Sequence, residues 1–170
     1  MPMTRPGLAA MLLLLAAAPA FAAEPSGCDN FKWPIARERA ALTAADRQNA
    51  PSGAELPAPP ASAVLLALRD PAEAALPSPP ERAPKPGSFA GFLRIREIAK
   101  AGSYTVSLSQ PGWIDAVQNG AVLKPADFSG AGDCDGIRKS VKYQFAAGPL
   151  LLQISGSPTA SIAVALLPAQ

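Results

Sequence analysis

Alternation of apolar and polar residues is clearest in the stretch Gly102–Gly120. Tyr104, Val106 and Leu108 point one way and Ser103, Thr105, Ser107 and Ser109 the other, because successive strand side chains face opposite sides of a sheet. The pattern predicts a half-buried strand. Pro111-Gly112 interrupts it, the apolar run Trp113 to Val117 predicts a second strand, and Asn119-Gly120 is the pair that accepts positive φ in a tight hairpin turn.

The β pattern extends in both directions. Phe89, Gly91, Leu93 and Ile95 alternate with Phe92, Arg94 and Arg96, and Val141, Tyr143 and Phe145 alternate with Ser140, Lys142 and Gln144. Leu150 to Ile154 is an unbroken apolar run, and Ile162, Val164 and Leu166 alternate with small residues. A Gly-rich loop at 127–136 and turns at Gly148-Pro149 and 155–159 divide them. About eight short strands separated by turn signals predict an all-β fold, an antiparallel β-sandwich of jelly-roll kind with its core in residues 88–170.

Upstream the pattern changes. In residues 23–50, Ala36 to Arg47 is rich in helix formers and follows Pro34, which is harmless in a first turn, so one short N-terminal helix is expected. Phe31, Ile35 and Leu42 form its candidate docking face. Residues 51–87 hold half of the twenty prolines. Proline cannot donate to a sheet ladder, so this segment should run extended over the surface. Within it, Ser62 to Leu68 is an apolar run of strand length.

The first 22 residues read as an export signal: Arg5, an apolar run from Leu8 to Ala18, and a small-x-small site at Ala20-Phe21-Ala22. The run is too short for a permanent membrane span. The mature protein is therefore expected to be periplasmic or secreted, as one domain over 23–170. Its charge is nearly balanced, since the whole chain carries 15 basic and 13 acidic residues and the leader removes only Arg5. That balance gives no case for nucleic acid or an anionic membrane.

Export changes the reading of the two cysteines, Cys28 and Cys134. In an oxidising compartment they are expected to pair, and the long loop so closed would contribute about 4.7 kcal/mol in the chain-entropy model. A metal pair or two free thiols are the alternatives.

The chain has no histidine. This excludes Ser-His-Asp and Cys-His nucleophile systems, the two-His iron triad and the usual zinc hydrolase sites. No cofactor is expected. A carboxylate pair drawn from Asp115, Asp127, Asp133 and Asp135 would be the minimum for a hydrolase, but turn and surface roles are the expected ones, since aspartate bonds its own backbone in turns. Asp133 and Asp135, with Gly136 following, resemble half of a calcium loop but lack the third carboxylate and closing Glu, which favours a structural loop presenting Cys134. Trp113, Tyr104 and Tyr143 are candidates for a sugar-stacking platform. The two tyrosines are in phase with core residues, so the candidate ligand contacts reduce to Trp113, Asp115 and Gln118.

At Cys28-Asp29-Asn30-Phe31-Lys32-Trp33-Pro34-Ile35, at Ala101 to Val106 with Trp113-Ile114-Asp115, and at Cys134 to Val141, the chain resembles an uncharacterised family of small exported proteobacterial proteins. The resemblance implies no established activity. Its Ala-Gly-x-Tyr-x-Val strand is similar to those of pre-peptidase C-terminal and related jelly-roll modules, which usually accompany enzymes as binding or solubilising domains. Some proteins of this appearance carry a homogentisate 1,2-dioxygenase label. Such an enzyme holds iron with histidines and is far longer, so that activity is rejected. The expectation is a non-catalytic module that binds a glycan, a small ligand or an envelope protein. The alternatives are a structural or stress-related envelope protein acting through the proline-rich segment, and a carboxylate-based hydrolase.

Overall fold

The computed structural model describes residues 1 and 24–170, so all of the expected leader except Met1 lies outside the described residues. The chain is mostly β, with 45% strand against 7% helix. After a 3-10 turn at Cys28–Asn30 and the helix α1 (Ala36–Thr43), the strands run β1 (Gln48–Ala50), β2 (Ala54–Leu56), β3 (Val64–Ala67), β4 (Phe89–Ile98), β5 (Gly102–Leu108) and β6 (Trp113–Gln118). They continue with β7 (Ala121–Val122), β8 (Asp127–Gly130), β9 (Lys139–Phe145), β10 (Gly148–Ser157) and β11 (Ser161–Pro168). One sheet has the order β1-β3-β11-β5-β9-β8, the other β2-β4-β10-β6-β7. Asn119 and Gly120, at φ 52° and 76°, make the tight turn from β6 to β7 that the sequence predicts.

Both sheets are mixed, contrary to the antiparallel expectation, because β1 pairs with β3 and β2 with β4 in parallel. The cause is the path of the chain. From β1 to β4 it changes sheet at every step, so each strand returns beside the one two before it, running the same way. These small additions raise the strand count among the described residues above the expected eight.

A single apolar cluster joins the sheets. Val64, Leu66, Val106, Leu108, Tyr143, Ile162 and Val164 on one side meet Leu93, Ile95, Ile114, Leu152 and Ile154 on the other. Truncating a fully buried member such as Leu66 or Leu152 to Ala would cost about 2–5 kcal/mol.

Each sheet is also covered on its outer face. Behind the six-stranded sheet lies a second cluster of Phe31, Ile35, Leu42, Ile137, Ala63, Ala163 and Ala165, whose alanines let α1 approach closely. The polar side of β5 is consequently buried, and the half-buried reading of that strand does not hold. Thr105 Oγ1 donates to Glu38 Oε1 of α1 at 3.0 Å, and Ser107 and Ser140 share a hydrogen bond at 2.9 Å. Small residues with bondable hydroxyls tolerate both situations, so alternation alone does not separate a wet face from a polar but covered one.

The helix stops at Thr43 rather than Arg47. Arg47 folds back instead, donating from Nη1 to the Leu42 carbonyl at 2.9 Å and from Nε to that of Ala44 at 2.8 Å, while Ala63 N–H satisfies Ala41. A disulfide joins Cys28 to Cys134 across 106 residues and ties the segment before α1 to the loop between β8 and β9. No helix among the described residues is long and apolar enough to cross a membrane.

Residues 71–88, proline-rich and outside any strand, form a strap over the outer face of the five-stranded sheet. Gln153, fully buried on β10, fixes it with a pair of bonds: Ser78 N–H donates to Oε1 at 2.8 Å and Nε2 donates to the Ser78 carbonyl at 3.0 Å.

Candidate functional site

Trp113 opens β6 directly after the Pro111-Gly112 turn and is half-buried beside the strap. Its indole N–H donates to Asp115 Oδ1 at 2.8 Å, so two alternate residues of one strand are locked together on the outer face. Asp115 is 1% exposed. Its other oxygen accepts the Glu81 backbone N–H at 3.4 Å, which makes it the second anchor of the strap. Burial raises the pKa of this carboxyl; the bonds from Trp113 and Glu81 oppose that shift.

Around Trp113 lies a cleft of about 260 Å³, lined on one side by the strap residues Arg82 and Lys85 and on the other by Arg138, Lys139 and Glu24. The Arg82 guanidinium carbon is 4.4 Å from the centroid of the Trp113 ring, and Lys139 Nζ is 5.2 Å from it. Lys139 Nζ also donates to the Gly112 carbonyl at 3.0 Å. Arg138 is neutralised by Glu24, with Nη2 2.5 Å from Oε2, and this pairing holds Glu24 below the usual carboxylate range. Lys139 has no carboxylate partner among the described residues. Burial, with Arg82 and Arg138 close by, pushes its ammonium below the ordinary lysine value. The cleft thus concentrates positive charge beside an aromatic ring.

The other candidates fall elsewhere. Gln118 points to the opposite face of β6 from Trp113 and Asp115. At the strand end it clamps the β9–β10 turn, accepting from Ala146 N–H at 2.9 Å and donating to the carbonyls of Ala146 and Pro149 at 3.1 and 3.2 Å. Tyr104 and Tyr143 are core residues whose hydroxyls donate to the carbonyls of Lys100 and Ile114. Asp133, at φ 50°, accepts from Ser26 Oγ at 2.7 Å, Asp135 offers its backbone carbonyl to Arg39 Nε, and Asp127 pairs with Lys32. Among the described residues, no three metal-ligating side chains come together.

Sequence reasoning missed Arg82, Lys85 and Lys139. Nothing local to Arg138-Lys139 announces that a strap more than fifty residues upstream will bring Arg82 to the same ring. Set against known proteins, the chain matches no family model, no curated protein and no solved structure.

Proposed function

We propose that this protein is a non-catalytic, exported binding module whose ligand carries an oxyanion group, received in the cleft at Trp113. One observation carries the reading: Lys139 and Arg82 converge on one ring in a cleft where, among the described residues, the one lining carboxylate, that of Glu24, is already spent on Arg138. A partly desolvated ammonium such as that of Lys139, with no carboxylate partner among the described residues, is costly to hold in a fold. An incoming carboxylate, sulfate or phosphate relieves that cost, and the volume suits a single sugar acid or a small anion. With two cations already over the indole, the ring serves as their platform more than as a bare surface for stacking a neutral sugar.

The fold belongs to the same reading. The order β3-β11-β5-β9 against β4-β10-β6-β7 supports a jelly roll, in which successive strands cross between two four-stranded layers except at one hairpin, here β6-β7; β1, β2 and β8 are then additions at the edges. The Cys28–Cys134 bridge supports residence in an oxidising compartment, in keeping with the resemblance to small exported proteobacterial proteins.

Thermal-shift and calorimetric titration with galacturonate, sulfate and phosphate, and with glucose as the neutral control, tests the proposal at low ionic strength. The melting temperature rises with the anions and not with glucose, and Lys139→Ala cancels the rise. Absence of a shift with every anion in the millimolar range overturns it.

A further inference from the structure

We infer that the outer face of the five-stranded sheet carries a second anionic subsite at the far end of β6, so that the ligand is an acidic oligosaccharide spanning two positions; this rests on the anionic reading of the Trp113 cleft. The inference follows from the cross-strand rows of that face. Register places Trp113 opposite Ser155 in one row, Asp115 opposite Gln153 and Phe92 in the next, and Val117 opposite Leu151 and Arg94 in the third. The strap's hydrogen bonds to the sheet run to the middle row, through Asp115 and Gln153, while Arg82 reaches over to the Trp113 ring. It therefore leaves an opening on each side of itself.

The first opening is the Trp113 cleft. The second is a groove of about 560 Å³ with an apolar floor of Val117, Leu151 and Pro77 and with Arg94 and Arg96 at its margin. Its one carboxylate among the described residues, Glu55, lies 3.6 Å from Arg96 and offsets that charge. Arg94 is in no ion pair among the described residues, and its guanidinium carbon sits 5.2 Å from the Phe92 ring centroid. Each opening thus holds an arginine with no ion pair among the described residues, Arg82 in the first and Arg94 in the second.

From Trp113 to Val117 the strand advances about 13 Å at ~3.3 Å per residue. A lone anion reaches one opening only, whereas a chain with recurring acidic groups reaches both. Between them the strap presents Pro79 and Pro80, rings that offer a surface without a backbone donor. The apolar floor suits the C–H face of a sugar ring better than a bare polyphosphate, and a whole-chain charge of +2 is small for gripping a nucleic-acid backbone.

Calorimetry on the whole protein with galacturonic acid, its linear oligomers of increasing length and polyphosphate of matching length is the test. Affinity for the longer oligomers should exceed that for the monomer on the order of a hundredfold, as expected when two linked groups bind together. Arg94→Ala should bring the oligomers down towards the monomer, and Lys139→Ala should weaken both. Lys139-dependent binding with no gain from length overturns the second subsite and leaves the cleft reading standing. Failure of every acid to bind, or oligomer binding indifferent to Lys139→Ala, overturns both. Tighter binding of polyphosphate than of oligogalacturonate overturns the assignment to a glycan.

Discussion

The guanidinium of Arg82 lies over the Trp113 ring at 4.4 Å, joining a residue of the strap to the first residue of β6. The contact couples the position of the strap to the make-up of the cleft, because Arg82 is exposed and has no ion pair among the described residues to hold it there.

Removal of Arg82 is expected to separate stability from binding. An exposed cation–π contact is worth about 0.5–1 kcal/mol, so Arg82→Ala should lower unfolding stability by no more than about 1 kcal/mol in urea melts. The anion-induced thermal shift should fall much further, since one of the two cations over the ring is gone. Trp113 emission under acrylamide quenching should report a more accessible indole. A full anion response in Arg82→Ala would dismiss the residue from the site.

Lys139 gives the cleft its pH dependence. Its folded-state pKa lies below the ordinary 10.5, with burial as the main cause and Arg82 and Arg138 adding to it. In alkaline solution the ammonium therefore loses its proton earlier in the folded protein than in the unfolded chain. Unfolded chains bind more protons across that window, so this group makes stability rise as pH rises through it. The proposed anion binding should run the other way, because it needs the charged form. Affinity should fall through the same window, with proton uptake visible as a dependence of the calorimetric enthalpy on buffer ionisation. An affinity flat across the alkaline range would contradict the role given to Lys139.

Asp115 shows the opposite case of a carboxyl kept for structure. Its folded pKa is raised above the ordinary 3.8, chiefly by burial. The folded state then holds the proton to higher pH than the unfolded chain, so the stability this group supports falls as pH rises through the interval between the two values. Asp115→Asn should abolish that slope in urea midpoints taken from acid to neutral pH. At neutrality the variant should lie within about 1 kcal/mol of wild type, because losing a buried charge offsets one mismatched bond to Trp113 or Glu81. Asp115→Ala leaves both N–H groups unpaired and should cost about 1–3 kcal/mol.

The main strands were legible from alternation because Val106, Leu108, Val141 and Ile162 each repeat at period two against one apolar layer. The pairing of Cys28 with Cys134 was legible from their number and the expectation of export. What covers each sheet was not. Ser107 and Ser140 are fully buried, yet their residue type is equally suited to solvent. The parallel edges escaped notice because β1 and β2 are three residues each and carry no period of their own. Of the residues at the cleft, Trp113 and its partner Asp115 stand two apart on one strand, where a sequence displays them together, while Arg82 and Lys139 arrive through long-range packing.

The disulfide should matter for one layer more than for the whole. Cys28→Ser with Cys134→Ser should lower stability by about 2–5 kcal/mol. The bridge lies on the second cluster with Phe31 and Ile35, outside the core shared by the sheets. Hydrogen exchange should therefore quicken first in residues 27–43, with β10 and β5 still protected. Uniform loss of protection would mean that the two clusters unfold as one.

Gln153 offers the sharpest test of how the strap is held. It is fully buried on the central strand of the five-stranded sheet and answers both backbone groups of Ser78. Gln153→Leu fills similar space but leaves the half-buried Ser78 N–H and C=O without their Gln153 partners, at about 1–3 kcal/mol. The residue lines neither opening, so it acts only by positioning. If the strap delivers Arg82 to Trp113, the variant should lose anion affinity and show faster exchange at residues 76–82 while the melting curve stays cooperative. Gln153→Glu retains the acceptor for Ser78 N–H and should recover part of both effects at a pH low enough to protonate it, when its O–H can donate to the Ser78 carbonyl. Affinity unchanged in Gln153→Leu, with exchange at the strap accelerated, would mean that the anion is held by Lys139 without help from the strap.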